Sequence, residues 1–302
     1  MQKLPVGRIV RLAYAFTFGE IGTIIGLVWM PALVTAVGGF FAMGGYYGAM
    51  ADATQSGVPM AGGPQFAFFF LYLVVALLLA AVMAVAVGKQ ALGLREGPAI
   101  AHFALGGQEA RVFGGFIALY LLIVMFSAAV LLLSAGGGVA VAMLAKANPV
   151  ATAVSAIVLA VLVIAGLLAV LYISVRLSFL FIPAAVIDGE FGITRSWELT
   201  KGNFWRIVAI GLAVFVPVLL VVGGVELVIL GPGYFALLQK MVQDQAHTAV
   251  YQAEQMRLML ARLPFLVGLQ LVITPIIQGL MISPAAFAYR FLTGKPRPLP
   301  ES

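Results

Sequence analysis

Six long runs of apolar residues dominate this sequence. A helix needs about 20 such residues to cross the hydrocarbon core of a bilayer. Only 9% of the residues are charged, against about 25% in soluble domains, so the chain cannot surround a core with a water-facing surface. Disorder requires low hydrophobicity and is excluded as well. The runs are continuous rather than alternating, which predicts helices and not the strands of a membrane barrel.

The runs predict an all-α polytopic membrane protein with six transmembrane helices and an amphipathic elbow between the fourth and the fifth. Residues 1–292 are predicted to form a single transmembrane domain. Residues 293–302 contain three prolines and are predicted to be a disordered cytoplasmic tail. The expected spans are 16–40, 66–87, 112–133, 150–173, 207–230 and 264–287.

The distribution of basic residues predicts the orientation. With the N-terminus inside, 13 of the 17 Lys and Arg residues lie in inner segments. Cytoplasmic loops carry such an excess, so both termini are expected in the cytoplasm. The net charge of +6 is explained by these flanks and by anionic lipid headgroups, without a nucleic-acid partner.

Three outer segments have different compositions. Residues 42–65 and 134–149 are rich in glycine and are expected to be loops. Residues 233–262 combine apolar positions three, four or seven apart with polar positions between them, which predicts one amphipathic helix of up to about 30 residues. That helix could lie on the outer leaflet, cap the bundle, support self-association or form a binding lid.

The segment 174–206 is the most polar part of the inner surface. Pro183 is expected to break or bend the helix that leaves span four, and Gly189 and Gly192 then permit a turn. A short surface helix is predicted over 190–201. Gly202 suits the left-handed residue that ends a helix.

Two motifs make this segment recognisable. They are Arg176-x-x-Phe179-x-x-x-Pro183-x-x-x-x-Asp188 and Ser196-Trp197-x-Leu199-Thr200-Lys201-Gly202-x-Phe204-Trp205. With these motifs the segment resembles the YciC-like family of bacterial inner-membrane proteins and the membrane domain of some glycerophosphodiester phosphodiesterases. The resemblance implies a helical bundle in the bacterial inner membrane. It does not imply phosphodiesterase activity, because catalysis in those enzymes belongs to a separate soluble barrel that is not found in this sequence.

The elbow charges have a structural and a functional interpretation. In the structural one, local ion pairs fix the angle between spans four and five, since charges near lipid are costly unless paired. In the functional one, three basic residues bind an anionic lipid headgroup or phosphate. In both interpretations, two tryptophans are expected to anchor the segment at the membrane interface. The residues are Arg176, Asp188, Glu190, Arg195 and Glu198 for the pairs, Arg176, Arg195 and Lys201 for the headgroup, and Trp197 and Trp205 for the anchors.

Two acids lie inside predicted spans, Glu20 and Glu226. An intramembrane carboxylate indicates a proton or cation pathway by default. Glu20 is expected near the inner end of span one and Glu226 near the outer end of span five, so an interfacial role is the alternative for both.

No catalytic motif, phosphate loop or zinc motif is found in the sequence, and cysteine is absent. We therefore expect a non-enzymatic protein with no cofactor and no metal, acting in envelope or lipid homeostasis. Membrane lipids are the expected partners, with self-association or a protein partner also open. The alternative is a transporter or channel component that uses Glu20 or Glu226.

Overall fold

The fold is a bundle of long helices, seen in a computed structural model that describes residues 2–56, 63–95, 103–145, 148–189, 191–244 and 247–294. Six stretches are long and apolar enough to cross a membrane, which confirms the predicted all-α polytopic class. The helices are α1 (Val6–Gly19), α2 (Ile21–Ser56), α3 (Pro64–Leu92), α4 (Gly107–Ala145), α5 (Pro149–Ser178), α6 (Phe181–Ile187), α7 (Ile193–Leu199), α8 (Phe204–Leu230), α9 (Pro232–Gln243) and α10 (Thr248–Thr293).

The long helices extend well past the predicted span boundaries. The expected loop after residue 41 is helical as far as Ser56, and the expected loop after residue 133 is helical as far as Ala145. Glycine lowers helix propensity in water, but tertiary packing overrides this weak preference. Gly44 also packs on α10, where a Cβ would lie 3.6 Å from the Leu263 side chain. Both loop predictions were therefore wrong within the described residues.

Helices α1 and α2 run antiparallel to α10 along most of its length. The Arg8 guanidinium lies 5.1 Å from the centre of the Phe291 ring. Further along, Thr17 packs against Gly279, and Gly44 packs against Leu263. These contacts fix a register in which the chain before residue 20 lies beside the inner half of α10.

The buried core lies in the half of the bundle that contains the start of α1 and the end of α10. In α3 the buried residues run from Leu79 to Leu92, next to the C-terminal end of that helix. In contrast, Arg176 is the one buried residue among the 30 residues of α5. The opposite ends of the helices are therefore largely exposed, while the elements that meet near the N-terminus are packed as protein.

The outer amphipathic segment is two helices rather than one. Helix α9 ends at Gln243, and α10 begins at Thr248 and continues through the sixth span to Thr293. Beside the break, the Asp244 carboxylate lies 2.8 Å from Nδ1 of His247 and accepts a hydrogen bond of 3.1 Å from the Tyr251 hydroxyl. Of the predicted tail 293–302, Thr293 is the last residue of α10, and residues 295–302 lie outside the described residues, so the disordered tail stays a prediction.

The close approach of α1 and α10 predicts that Gly279→Ala destabilises the bundle. A Cβ at this buried position would lie 2.7 Å from Cγ2 and 2.8 Å from Oγ1 of Thr17. Overpacking of this kind costs about 1–3 kcal/mol. Unfolding of the purified protein in mixed micelles of increasing sodium dodecyl sulfate measures the loss.

Gly268→Ala is the matched control, because this glycine is also on α10 and a Cβ there meets no atom within 4 Å. It adds helix propensity without a clash, so its expected effect is neutral or stabilising. Equal stability of the two variants would contradict the register of α1 against α10.

Candidate interfacial site at the elbow

The elbow begins where the helix leaving span four is interrupted. Helix α5 ends at Ser178 and α6 begins at Phe181. Pro183 has no N–H to donate to the carbonyl of Phe179, and its ring disfavours a continuous helix there. The break directly precedes this proline, which confirms the predicted interruption.

The Ser196 hydroxyl replaces the backbone hydrogen bond that is missing at the interruption. In a continuous helix the Leu180 amide would donate to the carbonyl of Arg176. Instead the Leu180 N–H donates to Oγ of Ser196 at 3.1 Å, and that hydroxyl donates to the Arg176 carbonyl at 2.8 Å. Ser196 is fully buried on α7. One hydroxyl therefore satisfies both backbone groups of the missing bond and ties α7 to the end of α5.

The Arg176 side chain links the end of α5 to α7 and the residue after it. It is buried, and its Nε donates to Oγ1 of Thr200 at 3.3 Å, one Nη to the Tyr172 hydroxyl at 3.0 Å and the other Nη to the carbonyl of Trp197. Its guanidinium carbon lies 3.7 Å from the centre of the Trp197 ring. In the part of the chain that the structure describes, neither Asp188 nor Glu198 pairs with Arg176, and neutral oxygens and an aromatic face compensate its charge instead.

Glycines shape the turn between α6 and α7. Gly189, Gly192 and Gly202 all have positive φ, at 75°, 73° and 76°, a region that L-residues rarely adopt. A Cβ on Gly192 would also lie 2.5 Å from the carbonyl oxygen of Phe181. The predicted turn and the left-handed Gly202 are confirmed. The short helix is α7, Ile193–Leu199, and is shorter than the predicted 190–201.

The remaining elbow acids pair as the sequence predicts, within the described residues. The Arg195 guanidinium lies 3.6 Å from Asp188 and 3.2 Å from Glu198. The hydroxyl of Tyr289 on α10 also lies 2.8 Å from both carboxylate oxygens of Asp188 and donates its one hydrogen to this carboxylate. This carboxylate therefore joins the elbow to the last span. Glu190, the other predicted partner, lies outside the described residues.

The three basic residues predicted to bind a headgroup differ in their exposure and in their partners. Arg176 is internal, and the half-exposed Arg195 faces two carboxylates. Lys201 is exposed at the end of the elbow. The predicted anchors are also exposed, Trp197 at 36% and Trp205 at 78%, although one face of the Trp197 ring packs against the Arg176 guanidinium. Headgroup binding stays a prediction, and Lys201 with Trp205 is the exposed part of the predicted set.

A clamp on the N-terminal segment was not predicted from the sequence. Asn203, 2% exposed, accepts from the Leu4 amide at 3.0 Å and donates to the Gln2 carbonyl at 3.1 Å. Arg206 donates to the Leu4 carbonyl at 2.8 Å. The Leu4 side chain is fully buried against α6, α8 and α10. The clamp brings the exposed Lys3 to the segment that carries Lys201.

The first predicted intramembrane acid, Glu20, lies at the junction of α1 and α2, between Gly19 and Ile21. Close by, the Tyr14 hydroxyl on α1 donates to the carbonyl of Ala213 on α8. The first stretch long and apolar enough to cross a membrane begins at Ile21, directly after this acid. Its position near the inner end of span one stays a prediction.

The second acid lies where the sequence predicts. Glu226 is exposed in the last turns of α8, four residues before that helix ends at Leu230. This position is near the outer end of span five. Its carboxylate can therefore reach headgroups or water at low cost.

Comparisons with models of known protein families, with curated proteins and with solved structures found no match. The resemblance of the elbow to the YciC-like family therefore stays a prediction.

The hydroxyl bridge predicts that Ser196→Ala weakens the elbow. The change leaves the buried Leu180 amide without its partner and the Arg176 carbonyl with only the longer contact, 3.4 Å from the Thr200 hydroxyl, at a cost of about 1–3 kcal/mol. Thermal unfolding in detergent measures the loss. Ser134→Ala is the matched control, because that exposed hydroxyl donates only along its own helix, to Leu131. Equal midpoints for the two variants would show that Ser196 does not support the break.

Proposed function

We propose that this protein is a non-enzymatic, multi-pass membrane protein that binds anionic lipid headgroups at its inner surface. One observation carries the proposal: the clamp at Asn203 holds the segment of Lys3 beside the segment of Lys201, and both lysines are exposed. The role fits the expected action in lipid or envelope homeostasis.

Electrostatics favours these two lysines over the other basic residues of the elbow. An exposed ammonium attracts anionic lipid with about 1 kcal/mol at the cytoplasmic surface. Arg195 offers less, since Asp188 and Glu198 already face it, and the Arg176 donors are directed to protein oxygens. Trp205 beside Lys201 suits the depth of headgroups. The proposed site therefore consists of Lys3, Lys201 and Trp205.

The proposed location is the bacterial inner membrane, with both termini in the cytoplasm. The excess of basic residues on one side and the resemblance of segment 174–206 support this placement. The transport alternative, which would use Glu20 or Glu226, stays a prediction.

The orientation is tested by thiol labelling, since the natural chain has no cysteine. A membrane-impermeant maleimide added to intact bacterial spheroplasts should label Lys240→Cys, on the exposed outer side of α9. Lys201→Cys should be labelled only after the membrane is permeabilised. Labelling of Lys201→Cys in intact spheroplasts would reverse the orientation and remove the lipid proposal.

The lipid site is tested by titrating the purified full chain, in neutral detergent micelles, with phosphatidylglycerol and with phosphatidylcholine. The native protein should prefer phosphatidylglycerol. Lys3→Gln combined with Lys201→Gln should weaken binding of phosphatidylglycerol about 30-fold, which corresponds to about 1 kcal/mol per lysine. Native mass spectrometry counts the lipid molecules that stay bound.

The double variant Lys240→Gln with Arg262→Gln is the control, because it removes the same charge from exposed outer positions. It should bind phosphatidylglycerol like the native chain. An equal loss in both double variants, or no preference between the two lipids, would reject a specific site at Lys3 and Lys201.

A further inference from the structure

Residues 2–5 precede α1 and are held in place by a side chain about 200 positions further along the chain. The Asn203 side chain bonds to both neighbours of Lys3: it donates to the Gln2 carbonyl and accepts from the Leu4 amide. Asn203 is 2% exposed, and buried polar groups of this kind are normally hydrogen-bonded. The backbone is therefore fixed on both sides of one lysine.

The Leu4 side chain is the apolar anchor of this segment. It has no exposed surface and belongs to a buried cluster that contains Leu180, Ile207 and Phe287. Its carbonyl accepts a hydrogen bond of 2.8 Å from Arg206. One residue is thus held through its amide, its carbonyl and its side chain, while the Lys3 side chain next to it is exposed.

The segment can leave its place without unfolding α1. That helix begins at Val6, and its first hydrogen bond runs from the Ile9 amide to the Pro5 carbonyl. Release of residues 2–4 therefore breaks the bonds to Asn203 and Arg206 and exposes Leu4, but it leaves the helical bonds intact. Segments with so few contacts open locally at a lower free energy than the whole fold.

We propose that residues 2–5 form a latch that anionic lipid closes, with Asn203 and Leu4 as the residues that position Lys3. The inference rests on the proposed lipid site at Lys3 and Lys201. In the closed latch both lysines are held at one surface. In the open latch Lys3 is on an unanchored segment, and the entropy lost on ordering that segment opposes its contact with the same headgroup. Lipid therefore binds the closed latch more tightly and shifts the equilibrium towards it.

The contribution of one lysine limits the size of this coupling. Loss of one exposed lysine corresponds to about a fivefold loss of affinity for anionic lipid. Opening the latch should therefore weaken phosphatidylglycerol binding by about fivefold. Because coupling between two equilibria is reciprocal, saturating phosphatidylglycerol should lower the ratio of open to closed latch by the same factor.

The first test is a double-mutant cycle on phosphatidylglycerol binding by the purified full chain in neutral detergent micelles. Leu4→Ala removes the anchor, changes neither lysine and should weaken binding about fivefold. Lys3→Gln added to Leu4→Ala should have no further effect, because the released lysine no longer contributes. Lys201→Gln should still weaken binding about fivefold in the Leu4→Ala chain. Leu4→Met is the matched control, since it keeps an apolar side chain of similar volume and should bind like the native chain.

The second test is hydrogen exchange of the Leu4 amide, which donates to Asn203 only in the closed latch. Saturating phosphatidylglycerol should slow this exchange about fivefold in the native chain. It should not slow it in Lys3→Gln, where lipid bound at Lys201 no longer distinguishes the closed from the open latch. If Leu4→Ala does not fold, this comparison decides alone. Faster exchange with phosphatidylglycerol would mean that lipid displaces the segment, and would overturn the proposal.

The cycle separates the latch from the lipid site. If Lys3→Gln weakens binding equally in the native and Leu4→Ala chains while Lys201→Gln keeps its effect, the lipid site stands and the latch is rejected. If neither lysine variant weakens binding in the native chain, the lipid site is rejected, and the coupling of the latch to lipid is rejected with it.

Discussion

The hydroxyl of Ser196 stands between the carbonyl of Arg176 and the amide of Leu180, and the inner surface of the bundle depends on this insertion. Water cannot replace a missing backbone bond in a buried position near lipid. Because the hydroxyl satisfies both groups, the chain can leave span four, turn at Gly192 and return as α7. The same turn places Asn203 where its side chain forms hydrogen bonds with the N-terminal segment.

The basic side chains of the elbow differ in how their charges are compensated. Arg176 is buried and braced by neutral oxygens and the Trp197 ring. Arg195 is paired with Asp188 and Glu198 near the surface, where such pairs contribute little stability. Lys201 is exposed. Counting the basic residues of this segment suggests three equivalent headgroup ligands. Within the described residues, however, only the exposed ammonium of Lys201 keeps its charge available to an anion.

Local patterns predicted the features that depend on local physics. Six apolar runs, the break near Pro183 and the left-handed Gly202 follow from hydropathy, from a missing N–H and from a missing Cβ. The glycine-rich stretches were misread because propensities from water do not hold for helices surrounded by lipid and protein. The clamp at Asn203 joins residues about 200 positions apart, and an asparagine after a helix carries no signal for such a contact.

The junction at Glu20 shows why an apolar run in the sequence is not the same as one helix. Hydropathy predicts a single span from residue 16, but the structure ends α1 at Gly19 and begins the long apolar helix at Ile21. Contacts of Tyr14 with α8 and of Thr17 with α10 show that α1 packs against the bundle as an element of its own. Helix α10 has 46 residues, about 69 Å at 1.5 Å per residue, so part of it must extend beyond a hydrocarbon core of about 30 Å. The polar residues Gln252, Glu254 and Gln255 lie in its first turns, and they make that end the part that best fits a position outside the core.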